Sequence, residues 1–256
     1  MNRGLMTASG LLFIFLMTTL GALVVIFFKK NISRRLNGAF LGFASGIMIA
    51  SSIWSLIIPS MDGASNMDKL SFLPALIGII VGSIFMIVLG KIVPEQEGEI
   101  AQDVNKCKRL FVAVTVHNIP EGLAVGFAFG LAFAENTMTA YTLAAGLAFG
   151  IGLQNFPEGA AVALPIRAIT GSRSKGFLYG MLSGIVEPIF GLLGYFLAAY
   201  LIVLQPWCLA FAAGAMLYIV ASDLLASAHE NAGGTICAVS FIIGFSIMMT
   251  LDVVLG

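Results

Sequence analysis

Apolar positions in this chain do not alternate with polar ones at any short period; they run on continuously. Eight runs of membrane-spanning length stand out, at approximately 5–28, 37–58, 72–92, 110–133, 140–166, 177–204, 207–225 and 236–255, each ended by charged, Pro or Gly residues. A helix needs about 20 residues to cross roughly 30 Å of hydrocarbon, and each run is of that order. Short alternating strands of a barrel are not what these runs look like, so the pattern predicts an all-α polytopic membrane protein with eight transmembrane helices. Nothing is left over for a second domain, and residues 1–256 read as one transmembrane domain. The first run ends in Lys29 and Lys30 without a small-residue cleavage site, which predicts a retained span rather than a signal peptide.

Composition agrees and narrows the class. Only 10% of the residues are charged and 59% are hydrophobic, against about 25% charged in a typical soluble domain. With 13 basic and 13 acidic residues there is no surplus of positive charge for nucleic acid. Cys107, Cys208 and Cys237 are scattered singly and read as free thiols.

The basic residues fix an orientation. Lys29, Lys30, Arg34 and Arg35 follow the first run, Lys91, Lys106, Lys108 and Arg109 lie between the third and fourth, and Arg167, Arg173 and Lys175 lie between the fifth and sixth. Arg3 and Lys69 alone fall on the other side. The positive-inside rule then puts the odd-numbered loops in the cytoplasm and both termini outside.

Most acidic residues sit in loops or at span ends, and Asp252 near the end of the eighth run is expected to reach the headgroups. Glu121, Glu158, Glu187 and Asp223 fall inside runs. An ionised side chain near a helix centre costs on the order of 2.5–3.5 kcal/mol by insertion scales, and no Lys or Arg lies at their depth to compensate. Two of them share a context. Span 4 reads His117-Asn118-Ile119-Pro120-Glu121-Gly122, and span 5 reads Gln154-Asn155-Phe156-Pro157-Glu158-Gly159. The spacing i, i+4 puts His117 with Glu121, and Gln154 with Glu158, on one helix face. Asn118 and Asn155 flank the same faces. Pro120 and Pro157 free the carbonyls of Val116 and Leu153, which is tolerated in lipid where those oxygens meet another partner or a polar cavity. Gly122 and Gly159 allow close helix approach. Span 6 adds Glu187-Pro188. Imidazole, carboxylate and amide oxygens converging on one point suit a divalent transition metal, with zinc favoured.

A second, weaker cluster, Asp223, His229 and Glu230, lies at the inner end of span 7, as an exit route for the ion or an ordinary polar loop. Met48, Met86, Met216, Met248 and Met249 read as core filler or lipid-facing residues.

The tandem motif, together with eight spans and outside termini, resembles the ZIP (Zrt/Irt-like) family of divalent metal transporters, and the compact loops resemble its prokaryotic GufA-like branch. The resemblance implies uptake of zinc, with iron, manganese or cadmium as alternatives, into the cytoplasm across a prokaryotic plasma membrane. It implies a binuclear centre between spans 4, 5 and 6. His117, Glu121, Gln154 and Glu158 would form the first site, and Asn118, Asn155 and Glu187 would complete the second around shared glutamates. It also implies a homodimer, and an elevator in which spans 1, 4, 5 and 6 slide against spans 2, 3, 7 and 8. No enzymatic activity and no organic cofactor are expected. An intramembrane metalloprotease would need H-E-x-x-H, which is absent. A proton-coupled solute carrier using the glutamates as a relay, and a passive cation channel, remain open on sequence.

Overall fold

A computed structural model describes residues 3–27, 33–92 and 99–255, with only the backbone at some helical positions, His117 and Cys107 among them. Lys29, Lys30, Glu95 and Glu97 lie outside the described residues. The chain is helical nearly throughout: α1 (Arg3–Phe27), α2 (Arg34–Ser51), α3 (Ile58–Gly63), α4 (Phe72–Ile92), α5 (Glu99–Glu135), α6 (Met138–Thr170), α7 (Arg173–Gly184), α8 (Val186–Leu201), α9 (Gln205–Ile219), α10 (Leu225–Ala232) and α11 (Gly234–Leu255). Side-chain caps set several starts. Ser33, Thr137 and Ser172 accept hydrogen bonds from the backbone N–H groups of Leu36, Ala140 and Lys175. Gly171 ends α6 at φ 66°, where a side chain would be strained.

Two expected spans contain a π turn. Ser52–Ile57 joins α2 to α3, and Val220–Leu224 joins α9 to α10, so each span is one helix with a locally widened turn. At the first, the Ser52 hydroxyl donates to the Met48 carbonyl at 2.7 Å and faces Met216 Sδ on α9. Span 7 therefore continues helically to Ala232, and His229 and Glu230 stand on α10 rather than in a loop. Span 6 is broken instead, with Ile185 between α7 and α8 just ahead of Glu187-Pro188. By contrast α5 and α6 run unbroken through Pro120 and Pro157.

Among the described residues six helices or helix pairs are long and apolar enough to cross a membrane. They are Arg3–Phe27, Arg34–Gly63, Phe72–Lys91, Arg173–Ala198, Gln205–Ala232 and Gly234–Val254. These are expected spans 1, 2, 3, 6, 7 and 8. Helices α5 and α6 are longer still, and in α6 Gln154, Asn155, Pro157 and Glu158 dilute the apolar character at the middle.

The helices pack as two groups. Helix α5 lies along α8 and α1 along α6, with α7 against both α1 and α6; α11 lies along α2 and α4 along α9, with α10 on α2. Contacts of α2 with α6 and of α5 with α9 join the groups less extensively. That seam is apolar and rich in small residues: Ala124 and Ala161 meet Met48, Ala212, Ala213 and Met216 in one buried cluster. Met86 belongs to it too, and Met248 is buried beside Ile47, so these methionines fill the interior. Outward positions such as Ile80, Ile84, Ile189, Phe196 and Ile242 expose large apolar surface, as a lipid-facing helix does.

Candidate metal site

Inside the α1/α5/α6/α8 group the expected polar residues come together. Asn118, Glu121, Gln154, Asn155 and Glu187 are fully buried and Glu158 nearly so. The motif glycines make this possible. A Cβ on Gly122 would fall on the backbone carbonyl of Glu187, and one on Gly159 on that of Thr18. Only glycine lets α5 reach α8, and α6 reach α1, at this distance.

A connected set of hydrogen bonds results. Gln154 Nε2 donates to Glu121 Oε1 across α6 and α5. Asn118 Nδ2 donates to Glu187 Oε1 at 3.2 Å and to the Ser183 carbonyl at 3.0 Å. Asn155 Nδ2 donates to Glu187 Oε2 at 2.9 Å and to the Ile14 carbonyl at 3.4 Å. Glu158 stands one turn beyond Gln154 and Asn155 on α6 and is buried beside them. His117 occupies its place in α5, but its side chain is outside the described residues.

The structure adds Thr18, whose hydroxyl donates to Glu187 Oε1 at 2.7 Å from α1. No sequence signal marks it, since a Thr in a long apolar run also satisfies itself on its own helix; here it bonds the Ile14 carbonyl as well, at 3.4 Å.

As the side chains stand, no three His, Cys, Asp or Glu groups among the described residues converge on a single point. Amides are interposed between the carboxylates. The Asn118 Oδ1, Gln154 Oε1 and Asn155 Oδ1 atoms are buried and accept no hydrogen bond from the described residues. A buried acceptor without a donor is costly, and oxygen donors of this kind beside carboxylates are what a cation takes up. The donor types in this residue set are ones a divalent ion takes up.

Two further positions differ from expectation. Asp252 does not reach outward: it is half-buried, accepts from Ser55 Oγ at 2.7 Å, and faces Gly150 of α6, one turn before Gln154. The polar interior explains this, because Ser55 offers it a donor on the neighbouring helix. At the other end Asp223 is half-buried and accepts from Ser222 Oγ, while His229 and Glu230 are exposed. The three share one end of a span without being drawn into one site. Cys208 and Cys237 are free thiols, and Cys107 lies outside the described side chains.

Helices suited to lipid on the outside, wrapped around a buried carboxylate and amide cluster, define a multi-pass membrane protein of the transporter class. Residues 96–252 match the model of the family described as ZIP zinc transporter. The chain is 34% identical to zinc transporter ZIP11 of Xenopus tropicalis, covering 94% of each chain. It is 33% identical to zinc transporter GufA of Myxococcus xanthus, over 93% of this chain and 94% of that one. With zinc transporter ZIPB of Bordetella bronchiseptica the identity is 32%, over 94% and 79%. The chain belongs to the ZIP family, a family of transporters and not of enzymes.

Proposed function

We propose that this protein carries zinc, or a closely related divalent ion, across a prokaryotic plasma membrane into the cytoplasm. The observation that carries the reading is the buried cluster in which both copies of the motif and Glu187 meet, with three amide oxygens lacking donors. In this reading His117, Glu121, Gln154 and Glu158 hold the ion at midplane, and Asn118, Asn155 and Glu187 adjoin it. The basic residues of the odd-numbered loops orient the chain with eight spans and both termini outside, and uptake toward the cytoplasm is the direction the family resemblance implies.

The ion enters from the outer side past Asp252 and Ser55, whose carboxylate lies one helical turn short of Gln154 on α6. Asp223, His229 and Glu230 mark the inner end of the route. Movement between the two openings follows from the packing. The site is built within the α1/α5/α6/α7/α8 group, while the seam to the other group is apolar and made of small side chains and methionines. Such a seam resists sliding less than interlocked polar contacts would. An elevator motion of the first group, in a homodimer whose second group stays fixed, is the mechanism this arrangement supports.

Zinc-65 uptake into vesicles holding the purified protein tests the reading. His117→Ala and Glu121→Ala should each abolish saturable uptake; uptake at the wild-type rate in both would overturn it. Retained stoichiometric metal separates this from a proton-coupled solute carrier, and saturation with a steep temperature dependence separates it from a channel.

A further inference from the structure

The surroundings of Glu187 bear on how many ions the site holds at once. Its Oε1 accepts from Thr18 Oγ1 and Asn118 Nδ2, and its Oε2 from Asn155 Nδ2. All four residues are fully buried. Both carboxylate oxygens are therefore faced by neutral donors, in directions a second cation would have to occupy. Turning either amide round would set its oxygen against the carboxylate, so the nitrogen-inward sense is the favourable one. The two Oδ1 atoms then point away from Glu187, and these are among the buried oxygens without a donor. Each Asn thus serves Glu187 with its nitrogen and leaves its oxygen for an ion on the other side.

Charge leads to the same count. Among the spans read from the sequence the one Lys or Arg is Lys91, exposed at the end of the third, and the cluster contains three carboxylates, Glu121, Glu158 and Glu187. One dication neutralises two of them and leaves one negative charge, which charge-assisted hydrogen bonds from three donors hold at Glu187. A second dication would leave an unbalanced positive charge in a buried site, which is strongly unfavourable. With Asp at position 155 there would be four carboxylates, and two dications would balance.

We infer that this transporter holds one divalent ion at a time, and that Asn155, with Asn118 and Thr18, takes the place of a second ion at Glu187. The inference rests on the metal-site reading above. Its test is zinc stoichiometry: the purified full chain is dialysed to equilibrium against zinc, and bound metal is measured by elemental analysis against protein. About one equivalent is expected for the wild type and about two for Asn155→Asp, because the added carboxylate balances the second ion. Thr18→Val, which removes a donor without changing charge, should stay at about one.

Two equivalents in the wild type, or two in Thr18→Val, would overturn the inference. One equivalent in a folded Asn155→Asp would overturn the role given to Asn155. If Asn155→Asp does not fold, the wild-type value alone decides the count. No bound zinc in any form would instead overturn the metal-site reading itself.

Discussion

Gly184 is the last residue of α7, and an alanine there would press on the Thr18–Glu187 hydrogen bond from the side. Its Cβ would stand 2.8 Å from Thr18 Cβ and 3.0 Å from Glu187 Oε1. Ordinary contact begins at 3.4 Å, so Thr18 must retreat by about 0.6 Å and the carboxylate by about 0.4 Å. Both displacements act on a bond of 2.7 Å. If they add, it opens to about 3.7 Å, beyond hydrogen-bond length. The loss of a bond to a charged acceptor costs about 1.5–3 kcal/mol, and overpacking adds about 1–3 kcal/mol. Helix propensity offsets no more than about 1 kcal/mol of this.

The prediction for Gly184→Ala is therefore a loss of several kcal/mol in stability together with slower zinc uptake. Thermal unfolding of the purified protein and zinc-65 flux measure the two. Gly90→Ala is the control, since a Cβ there meets nothing within 4 Å. It should be neutral or stabilised by up to about 1 kcal/mol through propensity alone. In a Thr18→Val background, where the hydrogen bond is already gone, Gly184→Ala should cost less than it does alone. A Gly184→Ala protein as stable and as active as the Gly90→Ala control would refute the argument, and a fully additive double variant would refute the part assigned to Thr18.

Other consequences can be checked separately. Arg167 Nη1 donates to the Val25 carbonyl near the end of α1 at 3.2 Å while almost fully buried. Arg167→Met should lower stability by about 1–3 kcal/mol and leave zinc affinity, measured by equilibrium dialysis, unchanged. Asp252→Asn should raise the zinc concentration needed for half-maximal uptake by about tenfold, the equivalent of roughly 1.4 kcal/mol of lost attraction, while maximal flux changes less. Glu187→Gln should lower uptake at least about tenfold, since removing one member of a buried charged network typically costs several kcal/mol. In each case a flux curve indistinguishable from wild type for the last two, or an unchanged melting point for the first, would count against the assignment.

Six of the eight expected spans are legible because lipid leaves little choice: 20 apolar residues in a row can satisfy their backbone only as a helix. Hydropathy marks where the membrane ends, however, and not where the helix ends. Helix α5 starts at Glu99, well before the apolar run at 110, and its polar first turns carry no hydropathy signal. The motif residues were legible through their duplication, which no single Asn or Glu would have supplied. Thr18 was not, because its partner lies 169 residues away and only the fold reveals the pairing. Asp252 departs from its expected outward position for a related reason: distance from a span end gives depth but not which way the side chain faces, and Ser55 draws it inward.

The π turns at Ser52–Ile57 and Val220–Leu224 carry a consequence for comparing relatives of this chain. A π turn is an α-helix with one residue too many, so deleting a residue from either turn would restore the regular ladder. The helix beyond would keep roughly its facing and position, because the wider turn already absorbs the extra residue. In the first turn Ser60, whose hydroxyl holds the Pro206 carbonyl at 2.7 Å, would stay near its partner. Single-residue gaps in these two spans are thus compatible with an unchanged rotational register, and sequences that differ by one there can present the same side chains to the ion's path.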